Sequence, residues 1–436
     1  MKKVVSIFWF RRDLRLEDNA GLWKALKSGY PVVPIFIFDK NILDKLQDRT
    51  DARVTFLHNR LTEIQSQLKS LGATLHVFHG TPYETMEELA NQYEVKQVFL
   101  NRDYEPYARE RDEQIFNYWK DRGVETIGAK DHVIFEKNEV VKADGTPYLV
   151  FSPYGKSWRK KLSEYHSKAY PTEAYFENFF KQEQRSIPSL QEMRFESTSI
   201  ELPLPVVNES IIKTYDATRN FPANEKGTTR LGMHLRFGSI SVRSLLRKGL
   251  AGNDTFVNEL IWRDFFQMAL YYFPNSREKA IKAKYDLIPW ETNMDHFQAW
   301  CEGKTGYPIV DAGMRELNST GYMHNRVRMI VASFLTKHLL IDWRLGERYF
   351  AEKLLDFDLA SNIGGWQWAS GSGLDAAPYF RVFNPTSQLE KFDKQLKYVK
   401  RWVPEYGTTE YPQPIVDHKW ARERCLDRFK TALSRA

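Results

Sequence analysis

Between Asp356 and Trp368 the chain reads Asp-Phe-Asp-Leu-Ala-Ser-Asn-Ile-Gly-Gly-Trp-Gln-Trp. Two carboxylates, Asp356 and Asp358, flank Phe357 and precede an amide, Asn362, a Gly364-Gly365 pair and two indoles, Trp366 and Trp368. Glycines lack a Cβ and let a backbone approach a flat ligand closely. An indole offers a large polarisable face that can pack or pass an electron. Taken singly, an Asp here is a helix cap and a Trp is core filling. Crowded together, carboxylates, amide and Gly-Gly beside indoles are costly to bury for packing alone. The stretch is therefore a candidate binding site.

Other groups have suggestive spacing. Thr228-Thr229-Arg230-Leu231-Gly232 follows a glycine and precedes a helical stretch. Small hydroxyls and free backbone N–H groups at a helix start make an anion site, although the same residues also suit a simple N-cap. Glu259, Trp262 and Arg263 are spaced by three and four, which sets them on one helical face. Asn325 and Met329 stand at i and i+4 around Arg326. Met329 alone reads as core, and Arg328 with Asp356 alone reads as an ordinary ion pair.

The 436 residues allow two or three domains. With 42% hydrophobic residues and a mean hydropathy of −0.53, the chain reads as soluble and globular. Its formal net charge is +7, and an excess of six positive charges falls in residues 201–436, within the half that holds most of the 12 Trp. A basic, aromatic-rich region fits a polyanion such as DNA, though many proteins carry such a charge without that role. Two distant cysteines, Cys301 and Cys425, argue against a disulfide framework and a cysteine metal site, and no metal is expected. Arg11-Arg12-Asp13 cuts the first apolar run too early for a signal peptide. No apolar stretch reaches the ~18 residues of a membrane span. A cytoplasmic protein is expected.

The elements that must position these groups follow from periodicity. Val4–Phe10, Val32–Phe38, Thr74–Phe78, Gln97–Leu100 and Val124–Ile127 are nearly continuous apolar runs, as strands buried on both faces should be. Helical patterns at about 19–28, 51–70, 83–93 and 107–122 separate them, and Gly29, Gly72 and Gly123 stand where C-cap glycines belong. The pattern predicts an α/β domain over 1–130, a doubly wound parallel five-stranded sheet. Such sheets bind ligands at their carboxyl edges, but no G-x-G-x-x-G follows the first strand. Residues 131–210 read as an irregular connector with turn signals at Asp144-Gly145 and Ser152-Pro153-Tyr154-Gly155. From 211 to 436 the pattern is all-α, with Phe256–Phe273, Met323–Leu340, Trp343–Leu355 and Leu389–Trp402 as its clearest segments.

Several long motifs stand in order along the chain: Trp9-Phe10-Arg11-Arg12-Asp13-Leu14-Arg15-Leu16, Gly303–Asp311, Met323-His324-Asn325-Arg326, Asp356–Trp368 and Ala377-Pro378-Tyr379-Phe380-Arg381. Over nearly its whole length the chain resembles the photolyase/cryptochrome family of flavoproteins, and most of all the class I photolyases of cyclobutane pyrimidine dimers. The resemblance implies one noncovalent FAD in the all-α domain, active as the reduced anion. Thr228, Thr229, Arg230, Leu231 and Gly232 match the segment that holds the FAD pyrophosphate, with Gly232 where the family usually has Ser. Tyr215, Phe256, Arg263, Arg328, Asp356, Phe357, Asp358 and Asn362 match further cofactor contacts, Asn362 near the flavin N5. Trp366, Trp343 and Trp300 match the tryptophan chain that photoreduces flavin. Glu259, Trp262, Arg263, Asn325, Arg326, Met329 and Trp368 match the walls of the dimer pocket, and Arg381 and Gln388 match contacts to DNA backbone.

The resemblance thus implies light-driven dimer repair in UV-damaged DNA by a monomer without an obligate protein partner. An antenna chromophore of open identity is implied for the α/β domain. Tyr107-Ala108 stands where folate-binding members carry Asn-Glu, so folate is not expected there. Two alternatives remain at this point. One is a cryptochrome-type blue-light receptor that binds FAD without repair, against which Asn362 argues, because plant receptors place Asp there. The other is a nucleotide-binding α/β enzyme with an unrelated helical domain, which leaves Asp356–Trp368 unexplained.

Overall fold

The computed structural model describes residues 2–434. Two compact units emerge. One comprises the chain up to Glu136 with Leu162–Val206 and Leu231–Lys248; the other comprises Lys137–Lys161, Val207–Arg230 and the chain from Gly249 onward.

The first unit is built on five parallel strands, β1 (Lys3–Phe10), β2 (Val32–Asp39), β3 (His76–Gly80), β4 (Tyr93–Asn101) and β5 (Glu125–Ala129), in the order β3-β2-β1-β4-β5. The expected doubly wound α/β fold is the one observed. Trp9 pairs with Ile35 on one side and Leu100 on the other. β1 and β2 are buried on both faces beyond their first residues, which is why their sequences run apolar without alternation. Helices Ala20–Leu26, Ala52–Ser70, Pro82–Gln92 and Pro106–Lys120 separate the strands. Gly29, Gly72 and Gly123 adopt φ of +85°, +69° and +69° just past three of these helices, a conformation that only glycine adopts without strain.

At the carboxyl edge of this sheet the motif around Arg11–Leu16 is spent on ion pairs. Arg15 Nη2 and Arg243 Nη2 both donate to Asp131 at 2.7 Å, and Arg243 Nε donates to Asp18 at 2.9 Å. Burial pushes Asp131 up, but the two guanidiniums outweigh it and hold the carboxyl at about 2. Asp103 is likewise buried yet held at about 2 by Arg12, Arg236, Arg11 and Arg111. The Tyr107 hydroxyl donates to Asp39 at 2.5 Å.

The second unit is helical, as expected. Its main elements here are α1 (Phe151–Lys161), α2 (Asp254–Tyr272), α3 (Asn325–Ser333), α4 (Trp343–Lys353) and α5 (Leu359–Ser370). α1 lies in the stretch whose sequence reads as turn and connector. Pro153 sits in the first helical turn, where its missing N–H is not needed. Tyr154 and Trp158, four apart, form a buried face, and the Trp158 indole donates to Asp264 Oδ2 at 2.9 Å. After α3 the backbone widens into a π-turn, Phe334–His338. The expected Leu389–Trp402 helix is two, Pro385–Phe392 and Lys397–Trp402, because the Asp393 carboxylate accepts from Tyr398 N and Val399 N and starts a new turn. Among the described residues no helix is long and apolar enough to cross a membrane.

Buried histidines set the acid response. Burial lowers His76 to about 4 and His338 to about 3. A folded-state pKa below the unfolded value of about 6.5 means that the unfolded chain binds the proton first. Stability is therefore full above pH ~6.5 and falls as pH drops from there towards 4. Each such histidine contributes a loss of about 1 kcal/mol by pH ~5.5. Urea midpoints at pH 7.5 and 5.5 should diverge less in His76→Phe than in the wild-type chain; an unchanged gap would remove His76 from this account.

Candidate active site in the helical unit

α2 starts on Asn253, whose side chain accepts from Thr255 N and Phe256 N at 3.0 and 3.3 Å. Ten of its 19 residues are buried, and a line at i, i+3, i+4 and i+7 (Glu259, Trp262, Arg263, Phe266) is among the positions that stay partly open. Trp262 stacks flat on Phe151 of α1, centroids 3.7 Å apart and planes 2° apart, so one indole face is taken by the protein. Glu259 is ion-paired to Arg219, whose guanidinium lies 5.4 Å from the Tyr215 ring. Burial pushes the Glu259 carboxyl above its ordinary range, and Arg219 opposes that rise. Burial and the Glu259 charge push the Tyr215 hydroxyl up; Tyr215 meets Phe256 edge-on at 5.5 Å.

α3 is capped by His324, whose Nδ1 accepts from Arg326 N at 3.1 Å. That bond fixes the hydrogen on Nε2, which is buried without an acceptor, and burial with four nearby arginines lowers His324 to about 4. Asn325 is exposed at the helix start. Arg326 donates to Asn220 Oδ1 at 2.7 Å, approaches Met329 Sδ at 3.6 Å and covers the Phe392 ring at 4.5 Å. Arg328 donates to Met323 O at 2.7 Å and to both Asp356 oxygens at 3.1 and 2.9 Å.

α5 is the centre of the arrangement. Asp358 caps it, accepting from Ser361 N at 3.0 Å, and takes both its oxygens to Gln267 Nε2 of α2 at 3.1 Å. Asn362 donates through Nδ2 to Glu347 O and Oε1 of α4 at 3.0 and 2.9 Å. Both partners are acceptors, so the amide orientation is determined, and its carbonyl oxygen is the end turned away from Glu347. A Cβ on Gly364 would meet Phe266 Cδ1 at 2.2 Å, which is how α2 and α5 come so close. A Cβ on Gly365 would meet nothing within 4 Å. Gly365 is exposed, so the space one turn beyond Asn362 is open and is the candidate cradle for a ligand. These residues fit a flat heterocycle: bare backbone, one orienting carbonyl and the Arg328–Asp356 pair. Thr228, Thr229 and Arg230 add hydroxyls and a cation; Thr228 Oγ1 lies 3.4 Å from the Tyr322 hydroxyl, and Arg230, at φ +50°, covers the Tyr322 ring at 4.6 Å. Leu231 and Gly232, which continue that loop, are grouped with the first unit.

Trp366 lies against Gly346 of α4, one turn after Trp343, where a Cβ would meet Trp366 Cη2 at 2.1 Å. It meets Trp300 edge-on at 6.0 Å and Phe350 at 5.0 Å. Trp300 and Trp343 are fully buried. Phe357 and Trp368 are partly buried against the same core. Arg381 is exposed and Gln388 half-buried on Pro385–Phe392, and no hydrogen bond or ion pair joins either to the groups above among the described residues.

Five residues in this arrangement carried no sequence signal: Arg219, Phe151, Gln267, Glu347 and Trp290. Trp290 is partly exposed, and the bridge from Glu291 to Ile341 sets it beside the segment leading to Trp343.

Comparison with known proteins gives concordant matches. Residues 6–174 match the family model described as DNA photolyase, and residues 256–410 match the FAD binding domain of DNA photolyase. A deoxyribodipyrimidine photo-lyase from Synechococcus sp. is 38% identical, with 94% of this chain and 93% of that protein covered. A bacterial class III photolyase from Agrobacterium tumefaciens superposes with a TM-score of 0.87 at 33% identity, covering 99% of this chain and 98% of that one. An archaeal photolyase from Sulfolobus tokodaii, solved with two FAD molecules, superposes with a TM-score of 0.82 at 35% identity, covering 98% and 99%.

Proposed function

The chain belongs to the DNA photolyase family, and we propose that it repairs cyclobutane pyrimidine dimers in UV-damaged DNA under blue or near-UV light, with FAD held in the helical unit. The observation that carries this reading is the contact between α2 and α5. Gly364 against Phe266 and Gln267 against Asp358 bring the open line Glu259-Trp262-Arg263 beside the cradle at Asn362 and Gly365. A dimer and a flavin can thus lie within electron-transfer reach. Bound FAD, as the reduced anion, supplies the light-excited electron donor.

The residues divide the remaining work. A dimer inside a duplex is reached only by flipping it out. Trp262, already braced by Phe151, offers its second face to the flipped bases, with Trp368 as the opposite wall and Met329 as apolar filling. Glu259 and Asn325 hydrogen-bond the pyrimidine edges, and charge developing on a carbonyl is stabilised by Glu259. Arg326, Arg381 and Gln388 meet the backbone. Asn362, held by Glu347, presents its carbonyl to the flavin N5–H. Thr228–Arg230, Tyr215, Phe256, Arg263, Arg328 and Asp356–Asp358 complete the cofactor contacts within the helical unit. The protein works as a cytoplasmic monomer, and the carboxyl edge of its sheet is the place for a second chromophore.

The dimer reading rests on the Met323-His324-Asn325-Arg326 pattern and Met329, and the state of His324 supports it. Repair of a (6-4) photoproduct needs a protonated imidazole, whereas His324 has Nδ1 committed as an acceptor and a pKa near 4. Illumination of separate cyclobutane-dimer and (6-4) oligonucleotides, followed by product analysis, tests the reading. Only the dimer should revert. Reversal of the (6-4) product alone overturns the pocket assignment, and reversal of neither moves the protein to the light-receptor reading.

Trp366, on the cradle helix itself, is the first electron donor for photoreduction of oxidised FAD, with Trp343 and Trp300 beyond it. Trp366→Phe should slow light-driven reduction by at least about tenfold, since one hop of the chain is lost. Trp300 is fully buried with its Nε1 donating to Val331 O, while Trp290 is partly exposed, although its Nε1 is buried without a partner. Photoreduction rates of Trp300→Phe and Trp290→Phe decide the third member. A wild-type rate in the first with a slow rate in the second replaces Trp300 by Trp290.

A further inference from the structure

We propose that Arg219 is a positioning residue that keeps Glu259 ionised in the free protein and lets it take up a proton when a DNA phosphate claims the guanidinium. The inference rests on the dimer-repair reading above and deepens it.

The geometry is that of a displaceable clamp. Arg219 stands at the end of a short helical turn, Tyr215–Thr218, and its Nη1 donates to Glu259 Oε1. The two side chains are 21% and 31% exposed, so the pair sits at a rim where a ligand can reach it. Two cationic groups border this rim: Arg219, paired with Glu259, and Arg326 from α3, which is tied to the neutral amide of Asn220 beside Arg219. Arg326 is raised in energy by repulsion from Arg219 as well as by burial, and its Nε is buried without an acceptor. Such a cluster is short of negative charge, and a phosphodiester is the anion that a DNA strand brings.

The consequences for Glu259 follow from what surrounds it. Burial favours the neutral carboxyl, and Arg219 is the one group that opposes it; Tyr215, across the turn, is a neutral phenol. When a phosphate draws Arg219 away, the ion pair is exchanged for an arginine–phosphate pair. The carboxylate then loses its counterion while bases fill the pocket and exclude water. It takes one proton from the solvent. The neutral carboxyl donates that O–H to a pyrimidine carbonyl, where negative charge will develop. No covalent bond changes, and the proton is the only species taken up. Binding of the strand thereby prepares the acid that cleavage uses.

Proton uptake tests this directly. The FAD-loaded full chain is titrated in the dark with a dimer-containing oligonucleotide in weakly buffered solution containing a pH indicator near neutrality. The wild type should take up about one proton per complex. Glu259→Gln should take up none. Arg219→Gln, saturated at higher DNA concentration, should also take up none, because its Glu259 is already neutral, and Arg219→Lys should restore the uptake. Absence of uptake in the wild type, persistence in Glu259→Gln, or wild-type uptake in Arg219→Gln would each overturn the proposal. Repair without uptake removes this inference alone, whereas uptake without repair on illumination removes the repair reading and leaves the switch standing.

Discussion

Glu259→Ala is expected to lower the quantum yield of dimer cleavage by about tenfold or more while the protein keeps its FAD and its fold. The expected size is that of removing one group that stabilises developing charge in a site with little water. The fold should survive because Glu259 lies on the partly open line of α2, not among the residues that bury the helix. Its loss also leaves Arg219 without a carboxylate, so affinity for DNA should hold or rise slightly as the rim becomes more positive. Cleavage yield and affinity therefore move in different directions. Single-turnover illumination of pre-bound dimer DNA separates them. A variant that binds poorly but cleaves normally once saturated would make Glu259 a binding group and nothing more. Glu259→Gln should fall between, since a neutral amide still donates a hydrogen bond but has no acidic proton.

The sheet was legible in the sequence because β1 and β2, covered on both faces, run apolar without alternation, and glycines mark the ends of the helices between the strands. α1 was not legible, because Ser-Pro-Tyr-Gly is good turn chemistry until the chain is seen to bury Tyr154 and Trp158 on one side. The same contrast divides the site. Asp356–Trp368 stood out because its groups are crowded into one stretch, so their burial together demanded a reason. Arg219 and Glu259 lie 40 residues apart and are joined only by the fold. Glu347 reads as one of several charges on an amphipathic helix, and Asn362, which orients against it, sits 15 residues away. Burial of Glu347 raises its carboxyl and makes that pairing matter, and burial is a property of three dimensions. Trp290 and Trp300 look alike in sequence; exposure distinguishes them.

Gly365→Leu is expected to abolish FAD binding, weakening it by roughly 100-fold or more (about 3 kcal/mol), without unfolding the helical unit. The neighbouring glycine shows why the position is informative. At Gly364 a Cβ would strike Phe266 at 2.2 Å, so a substitution there breaks the packing of α5 on α2. At Gly365 a Cβ meets nothing within 4 Å, and the backbone is helical, so a side chain costs the fold nothing. Replacing a helical glycine by a good helix former should even stabilise the apoprotein by up to ~1 kcal/mol. The leucine branches would stand in the cradle beside Asn362, where a flat ring has to lie. The variant should thus melt higher than the wild-type apoprotein while showing no flavin absorption after reconstitution. Gly365→Ala should be intermediate, because one methyl shortens the approach by less than the thickness of a ring. Retention of FAD by Gly365→Leu with wild-type affinity would put the flavin elsewhere in the unit and withdraw Asn362 from its proposed role.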